Sequence, residues 1–464
     1  MRYAEFLDSR RHKTEMHGFS PVFYVEKLMP FQRALVDWSV EKGRCAIFAD
    51  CGLGKTLIQL VWAQNIVKKT NGRVLILTPL AVGAQTLREA ERFGISAARS
   101  RDGTLSGEKI IVTNYEKLHL FNPADFAGCV CDESSILKNF DGMYKAQITE
   151  FMRCLSYRLL CTATAAPNDY VELGTSSEAL GEMGFMDMLG RFFKNDTNPT
   201  VDTKRRFAAA GGDVPKWRFK FHAEIPFWQW ICSWARAVRK PSDLGFQDGK
   251  YILPDLAVNE HCIKISRAAP GQLFAMPAAC LKEERDERKQ TITERCEMAA
   301  GLAKSHNSSV LWCHLNEEGK LLEKLMGSDC VQVCGSQSDE KKEEMLGAFL
   351  SGQAKYLVTK PMCAGFGLNM QHCAHMTFFP SHSYEQYYQS VRRCWRFGQT
   401  RPVTVDIVTT EGESRVLSNL QRKSAAADSM FSKLVEQMNN SLSVSTKRVF
   451  SNKEEIPSWL APIN

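Results

Sequence analysis

The stretch Ala49-Asp50-Cys51-Gly52-Leu53-Gly54-Lys55-Thr56 places two glycines, a lysine and a hydroxyl within eight residues. Residues without a Cβ let successive backbone N–H groups approach an anion and wrap it. A lysine that follows can reach the outer phosphates of a nucleoside triphosphate, and a threonine hydroxyl beside it can hold Mg²⁺. An apolar run leads in and an amphipathic run leads out, so a helix would aim its positive end at the bound anion. Gly52, Leu53, Gly54, Lys55 and Thr56 are therefore the candidate ATP contacts. The strict pattern starts with glycine, where Ala49 stands here. A chance Gly-Lys-Thr turn is the competing reading, and the flanking elements weigh against it.

Two further groups fit the same chemistry. The apolar run Cys129-Val130-Cys131 ends in Asp132-Glu133. Asp132 suits a Mg²⁺-holding acid, and Glu133 a group that positions or deprotonates an attacking water. Alone, such a pair would read as surface charge; a strand end makes it specific. Later, Arg393 and Arg396 stand three apart, which puts both on one face if the segment is helical. Paired arginines match the charge that spreads over a phosphoryl group in flight. Without the two earlier motifs, an exposed basic helix would be the simpler account.

Strands and helices must bring these groups together. Cys45–Ala49, Val74–Leu77, Ile110–Thr113, Cys129–Cys131 and Leu159–Thr162 read as buried strands, with a helix over Thr56–Lys68 between the first two. A second series follows in Val310–Cys313, Val331–Cys334, Tyr356–Thr359, Met376–Phe379 and Val403–Val408. Alternation of this kind predicts an α/β chain with two parallel, doubly wound sheets. The expected division is a first lobe over 1–170, an insertion and linker over 171–258, a second lobe over 259–412, and a helical brace with a tail over 413–464. The brace would support the second lobe through Val416, Leu420, Met430, Leu434 and Met438.

The middle segment carries an unusual aromatic load. Trp217 to Phe221 alternates aromatic and basic residues, and Phe227, Trp230, Ile231, Trp234 and Val238 recur at helical spacing. Between Arg191 and Lys240 there are eleven Lys or Arg against four Asp or Glu. Aromatics interleaved with cations can bind nucleic acid; a small core with solvated charges is the plainer reading, and the aromatics fit it better. Separate protein partners could also dock there. Lys282–Lys289 reads as a solvated helix face.

Composition sets outer limits. The chain has 464 residues, with 44% hydrophobic and 24% charged residues and a net charge of +7. That is ordinary for a globular protein, and the mild basic excess permits a polyanionic partner without requiring one. Sixteen cysteines occur, yet none forms a Cys-x-x-Cys pair; they read as reduced, buried thiols. His372-Cys373-Ala374-His375 reads as packing, since no second ligand pair is near in sequence. Met1 to Arg11 is charged and lacks an apolar core, so a cytoplasmic protein is expected, in a bacterium or a phage-infected host.

With these motifs in this order, the chain resembles the superfamily-two helicase-like ATPases, and within them the Swi/Snf type of DNA translocase. Leu28-Met29-Pro30-Phe31-Gln32 resembles the entry motif, in which Gln32 would read adenine. Leu77-Thr78-Pro79 and Thr113-Asn114-Tyr115-Glu116 resemble first-lobe motifs that hold nucleic-acid phosphates, which implies contacts from Thr78, Pro79, Thr113 and Asn114. Asp132-Glu133 followed by Leu137-Lys138-Asn139 fits the family pattern and assigns Lys138 and Asn139 to the nucleic-acid side. The family has a histidine after the acids; this chain has Ser134-Ser135, so a hydroxyl would have to replace that link. Leu160 to Asn168 resembles the coupling motif, with Thr162 and Thr164. Ala364 to Asn369 resembles a glycine-rich motif, with Gly365 toward DNA and Gly367 toward the nucleotide. Gln389 to Gln399 matches the last motif nearly letter for letter, with Gln389 on the coupling side.

The resemblance covers roughly 28–168 and 310–408. It implies two RecA-like P-loop lobes, ATP and Mg²⁺ as cofactors, and a DNA-dependent ATPase acting on double-stranded or branched DNA. The chain is similar to compact motors of phages, prophages and bacteria. A strand-separating DNA or RNA helicase is the near alternative. A nucleotide-gated scaffold without turnover is another, although none of its expected catalytic residues is missing. The motor subunit of a nuclease assembly is a third.

Overall fold

A computed structural model describes residues 16–80, 82–138, 142–166, 169–195, 217–220, 222–264, 281–364 and 368–446. Among the sequence-derived candidates, Asn139, Gly365 and Gly367 lie outside the described residues, as do Phe221 and the tail.

The first sheet is entirely parallel. Its strands are β1 (Arg44–Ala49), β2 (Arg73–Thr78), β3 (Ala98–Arg99), β4 (Ile110–Asn114), β5 (Phe126–Asp132), β6 (Tyr157–Thr162) and, much later, β9 (Ala235–Val238). Their spatial order is β3-β4-β2-β5-β6-β1-β9. β1, β2 and β6 each bury five residues in succession, as strands must when helices cover both faces. The helix Lys55–Thr70 lies against the sheet and buries Leu57, Ile58, Leu60, Val61, Trp62 and Ile66. It ends where Asn71 turns left-handed at φ 57°.

The second sheet is also parallel. It contains β10 (Leu256–Ile263), β11 (Ser309–Trp312), β12 (Cys330–Val333), β13 (Tyr356–Thr359), β14 (His375–Phe378) and β15 (Val403–Thr410), in the order β10-β15-β14-β11-β13-β12. Two all-parallel sheets flanked by helices meet the expectation of two RecA-like lobes. A small antiparallel ribbon pairs β7 (Phe193–Asn195) with β8 (Trp217–Phe219). No helix among the described residues is long and apolar enough to cross a membrane.

Two peripheral segments pack across the expected division. Part of the segment 171–258 packs into the first lobe. Its helix Glu224–Trp234 buries Phe227, Trp228, Trp230, Ile231 and Trp234 in the first-lobe core, and β9 then pairs with β1. The helix Ser414–Thr446 packs on both lobes. Its Met430, Phe431, Leu434 and Met438 join that same first-lobe core, while Leu417 packs on the second. A long helix with apolar residues at helical spacing can serve two cores, and sequence cannot say which.

Candidate functional site

In a parallel sheet the loops at the C-terminal strand ends share one edge, and side chains distant in sequence converge there. Most first-lobe candidates sit on that edge; Gln32 reaches the glycine loop from the entry helix Pro30–Lys42, and Asn139 lies outside the described residues. The glycine loop follows β1, Thr78 and Pro79 close β2, Thr113 and Asn114 close β4, Asp132 and Glu133 close β5, and Thr162 and Thr164 follow β6.

The glycine loop depends on its glycines at two points. Gly54 is left-handed at φ 82°, and a Cβ there would collide with the Gln32 amide. Gly52 is left-handed at φ 89°, and a Cβ there would lie 3.2 Å from the backbone nitrogen of Phe397, in the other lobe. Gln32 is 4% exposed. Its Nε2 donates to Leu53 O at 2.8 Å and its Oε1 accepts from Met29 N at 3.0 Å. In this arrangement Gln32 fastens the entry helix Pro30–Lys42 to the loop. Lys55 Nζ folds back and donates to Ala49 O at 2.9 Å and Asp50 O at 3.4 Å.

Asp132 and Glu133 are both buried, at 5% exposure each. Gln59 Nε2, from the helix after the loop, donates to Asp132 Oδ1 at 2.7 Å. Burial first, and the adjacent Glu133 second, push the Asp132 carboxyl up to about 7. A buried pair of acids with its charge this uncompensated fits a divalent cation, and Thr56 and Asp132 supply the hard oxygen donors Mg²⁺ prefers. Glu133 adopts φ 53°, a left-handed value rare outside glycine. Strain of this kind is kept where surroundings fix it and function uses it. Thr162 Oγ1 donates to Glu133 Oε2 at 3.3 Å and accepts from Thr164 N at 3.0 Å. Gln389 Nε2, from the second lobe, donates to Thr164 Oγ1 at 3.5 Å. A polar path thus runs from Glu133 to the other lobe. Ser134, the first of the two serines after the acids, keeps its hydroxyl buried without a hydrogen-bond partner among the described residues.

The opposite wall is the helix Tyr384–Cys394, whose start is capped by Ser383 Oγ accepting from Gln386 N. Arg393 lies in its last turn; Arg396 lies beyond its end, so the expected shared helix face is incorrect. The two converge all the same. Arg393 Nη1 and Arg396 Nη1 donate to the same carbonyl, Leu368 O, at 3.4 and 3.2 Å. Arg393 Nη2 also reaches Cys51 Sγ at 3.4 Å. Burial, then Arg393, pull the Arg396 guanidinium down to about 10. Arg396 Nε is shielded and has no hydrogen-bond partner among the described residues. A crowded cation with an idle donor calls for an anion.

Sequence reasoning missed Arg392. Its Nη2 pairs with Asp50 Oδ2 at 2.6 Å and donates to Cys51 O at 3.2 Å. Tyr388 OH donates to the other Asp50 oxygen. Burial opposes the Arg392 charge, but Asp50 outweighs it and holds the guanidinium ionised. A third arginine beside the expected pair was visible, yet its partner is more than three hundred positions away. A cavity of about 360 Å³ opens beside this pair, with Tyr251, Trp395 and Phe397 among its walls. Lys138 forms an ion pair with Glu385 across the lobes.

Fold and site together define a two-lobed α/β chain with a glycine loop and paired acids on one lobe and an arginine cluster on the other. No family model matches the chain, and no curated protein matches it. Among solved structures, it is similar to the Sulfolobus solfataricus SWI2/SNF2 ATPase core in complex with dsDNA. The identity is 18% and the TM-score 0.40, with 93% of this chain and 98% of that chain covered. The functional reading therefore rests on the residues and their geometry.

Proposed function

We propose that the chain is an ATP-hydrolysing motor whose lobes close and reopen around the nucleotide, and that its track is double-stranded DNA. One observation carries the reading. The arginine helix of the second lobe is seated on the glycine loop of the first, through Arg392 to Asp50 at 2.6 Å and Arg393 to Cys51 at 3.4 Å. A site with walls from two lobes is complete only when they meet, so nucleotide turnover can drive a stroke.

In this reading the backbone of Gly52 to Gly54 wraps the phosphates, and Lys55 leaves the Ala49 carbonyl to bind them. Thr56 and Asp132 hold Mg²⁺, which neutralises charge on the outer phosphate oxygens when bound. Glu133, fixed by Thr162, orients the attacking water. Arg393 and Arg396 supply donors to charge developing on the transferred group. Gln32 keeps one N–H and one lone pair for an adenine edge. The path Glu133-Thr162-Thr164-Gln389 would link hydrolysis to lobe movement. Thr78 and Asn114 are direct partners in the β2–β4 register, which supports one continuous phosphate track with Thr113 and Pro79.

The test is phosphate release with duplex, branched and single-stranded DNA and with RNA, each at two salt concentrations. Duplex should stimulate most, and salt should erode the stimulation steeply. Equal, trivial release by the unaltered chain and Lys55→Ala with duplex present would sink the enzyme claim. RNA as the better activator, or separation of a forked duplex, would replace translocation with strand separation.

A further inference from the structure

Arg99 and Arg101 leave the edge strand β3 beside both stretches expected to hold phosphates. A Cβ built on Gly83 would lie 3.4 Å from Arg99 Nε and 3.6 Å from Thr78 Oγ1, so this guanidinium shares the Thr78 corner. Between the two arginines, Ser100 O accepts from Thr113 Oγ1 at 2.8 Å, and Ser100 N donates to Val112 O at 3.0 Å. The pair is therefore tied to Thr113 as well.

Both arginines meet carboxylates of the other lobe. Arg99 Nη1 lies 3.1 Å from Glu343 Oε1; Arg101 Nη2 lies 3.5 Å from the same oxygen, and Arg101 Nη1 lies 3.5 Å from Glu340 Oε1. Glu340 and Glu343 belong to the helix Asp339–Leu350. Residues three apart on a helix are neighbours, roughly 5–6 Å between Cβ atoms, so the two acids present adjacent negative charges to the two cations. Arg101 is 48% exposed and Glu340 76%. The Arg101 pairs, this open to water, are weak and screened by salt; Arg99 is 15% exposed but its partner Glu343 is 41% exposed, so a denser line of negative charge can compete for both arginines. Lys138 repeats the pattern: a first-lobe cation expected to face nucleic acid is held by a second-lobe glutamate, Glu385.

We propose that Arg99 and Arg101 are a nucleic-acid backbone site of the first lobe, and that Glu340 and Glu343 occupy it as competing anions in this lobe arrangement. Phosphates entering the track exchange with the glutamates and free the second lobe from that contact. The inference rests on the motor reading and extends its track to a strand that no motif marks.

The experiment is equilibrium binding of a fluorescent duplex of ~25 base pairs to the full chain without nucleotide, across a salt series, with melting temperatures as the folding control. Arg99→Ala/Arg101→Ala should weaken binding and lower the slope of log K against log salt by up to about two, one for each phosphate contact. Glu340→Gln/Glu343→Gln should tighten binding several-fold at low salt, with little gain at high salt, where the ion pairs are already screened. An unchanged slope in the arginine variant overturns the site; unchanged affinity in the glutamine variant overturns the competition. Failure of the unaltered chain to bind duplex at low salt would overturn the motor reading along with both.

Discussion

Arg392 of the second lobe and Asp50 of the first lie 2.6 Å apart, with side chains 1% and 9% exposed. The pair sits at the glycine loop, and Tyr388 donates to the same carboxylate. Removing one partner of a buried pair strands the other charge and costs about 3–5 kcal/mol. That cost falls on lobe closure, because each sheet has its own core. Arg392→Ala should open the lobes, read as a larger radius of gyration in solution scattering, and lower ATP turnover by about 10²-fold or more. Asp50→Ala/Arg392→Ala should recover part of the closure, since it leaves no lone charge. Identical scattering from all three proteins would refute the latch.

Lys55 and Glu133 separate binding from chemistry. Lys55→Ala should lose nucleotide affinity and turnover together. Glu133→Gln keeps the size of the side chain and the contact from Thr162, so nucleotide should still bind while turnover falls by about 10²–10⁴-fold. Calorimetric titration with nucleotide alongside phosphate release distinguishes the two. Glu133→Gln retaining full turnover would move the water-orienting role to another residue.

Arg393 and Arg396 share the Leu368 carbonyl, but only Arg393 also reaches the glycine loop. Each alanine variant should lower kcat by about 10³-fold, the lower range for an arginine acting on a phosphoryl group. Lysine has a single donor centre and no planar fork, so Arg393→Lys should not restore the rate. Near-normal kcat in Arg396→Ala would reduce Arg396 to a structural cation.

The second lobe should weaken in acid. Burial lowers His314 to about 4, with Glu318 opposing. Burial also lowers His375, which pairs with Asp406 at 2.8 Å and stacks on His306 at 3.7 Å between ring centroids. Burial would raise Asp406, but donors from His375, His261 and Asn259 overcome it and hold the carboxyl low. An unfolded histidine takes up its proton near 6.5, while the folded ones stay neutral, so folding competes with protonation below that value. Stability is full above about pH 6.5 and falls as pH drops toward 4, by roughly 1 kcal/mol for each pH unit from His314, with His375 adding a loss of the same sign below about 6.5. Asp406 adds to the loss only at lower pH, as its carboxyl protonates. Melting temperature across pH 4–8 checks the sign; a flat profile would contradict it.

The aromatics of the helix Glu224–Trp234 are core. Phe227 and Trp234 are fully buried, and Trp234 packs edge-on against Phe48 of β1 at 6.2 Å between centroids. Phe227→Ala or Trp234→Ala should cost about 3–5 kcal/mol and leave the duplex affinity of the folded fraction unchanged. A selective loss of affinity at normal stability would return them to the nucleic-acid side.

What the sequence by itself determined is local. Glycine, lysine and hydroxyl spacing marked the loop after β1, and apolar runs of three to six residues marked ten strands of two parallel sheets, because burial on both faces leaves a pattern in consecutive residues. Asp132 and Glu133 were legible as acids closing such a run. Tertiary structure alone decided what depends on partners far apart in the chain. β9 completes the first sheet although its helix reads as an insertion, because edge pairing needs only backbone and leaves no periodic mark. The final helix serves both lobes through apolar positions whose spacing is the same whichever core they enter. Asp50 and Arg392 found each other only in three dimensions, since Coulomb attraction follows distance in space and carries no signature in spacing along the chain.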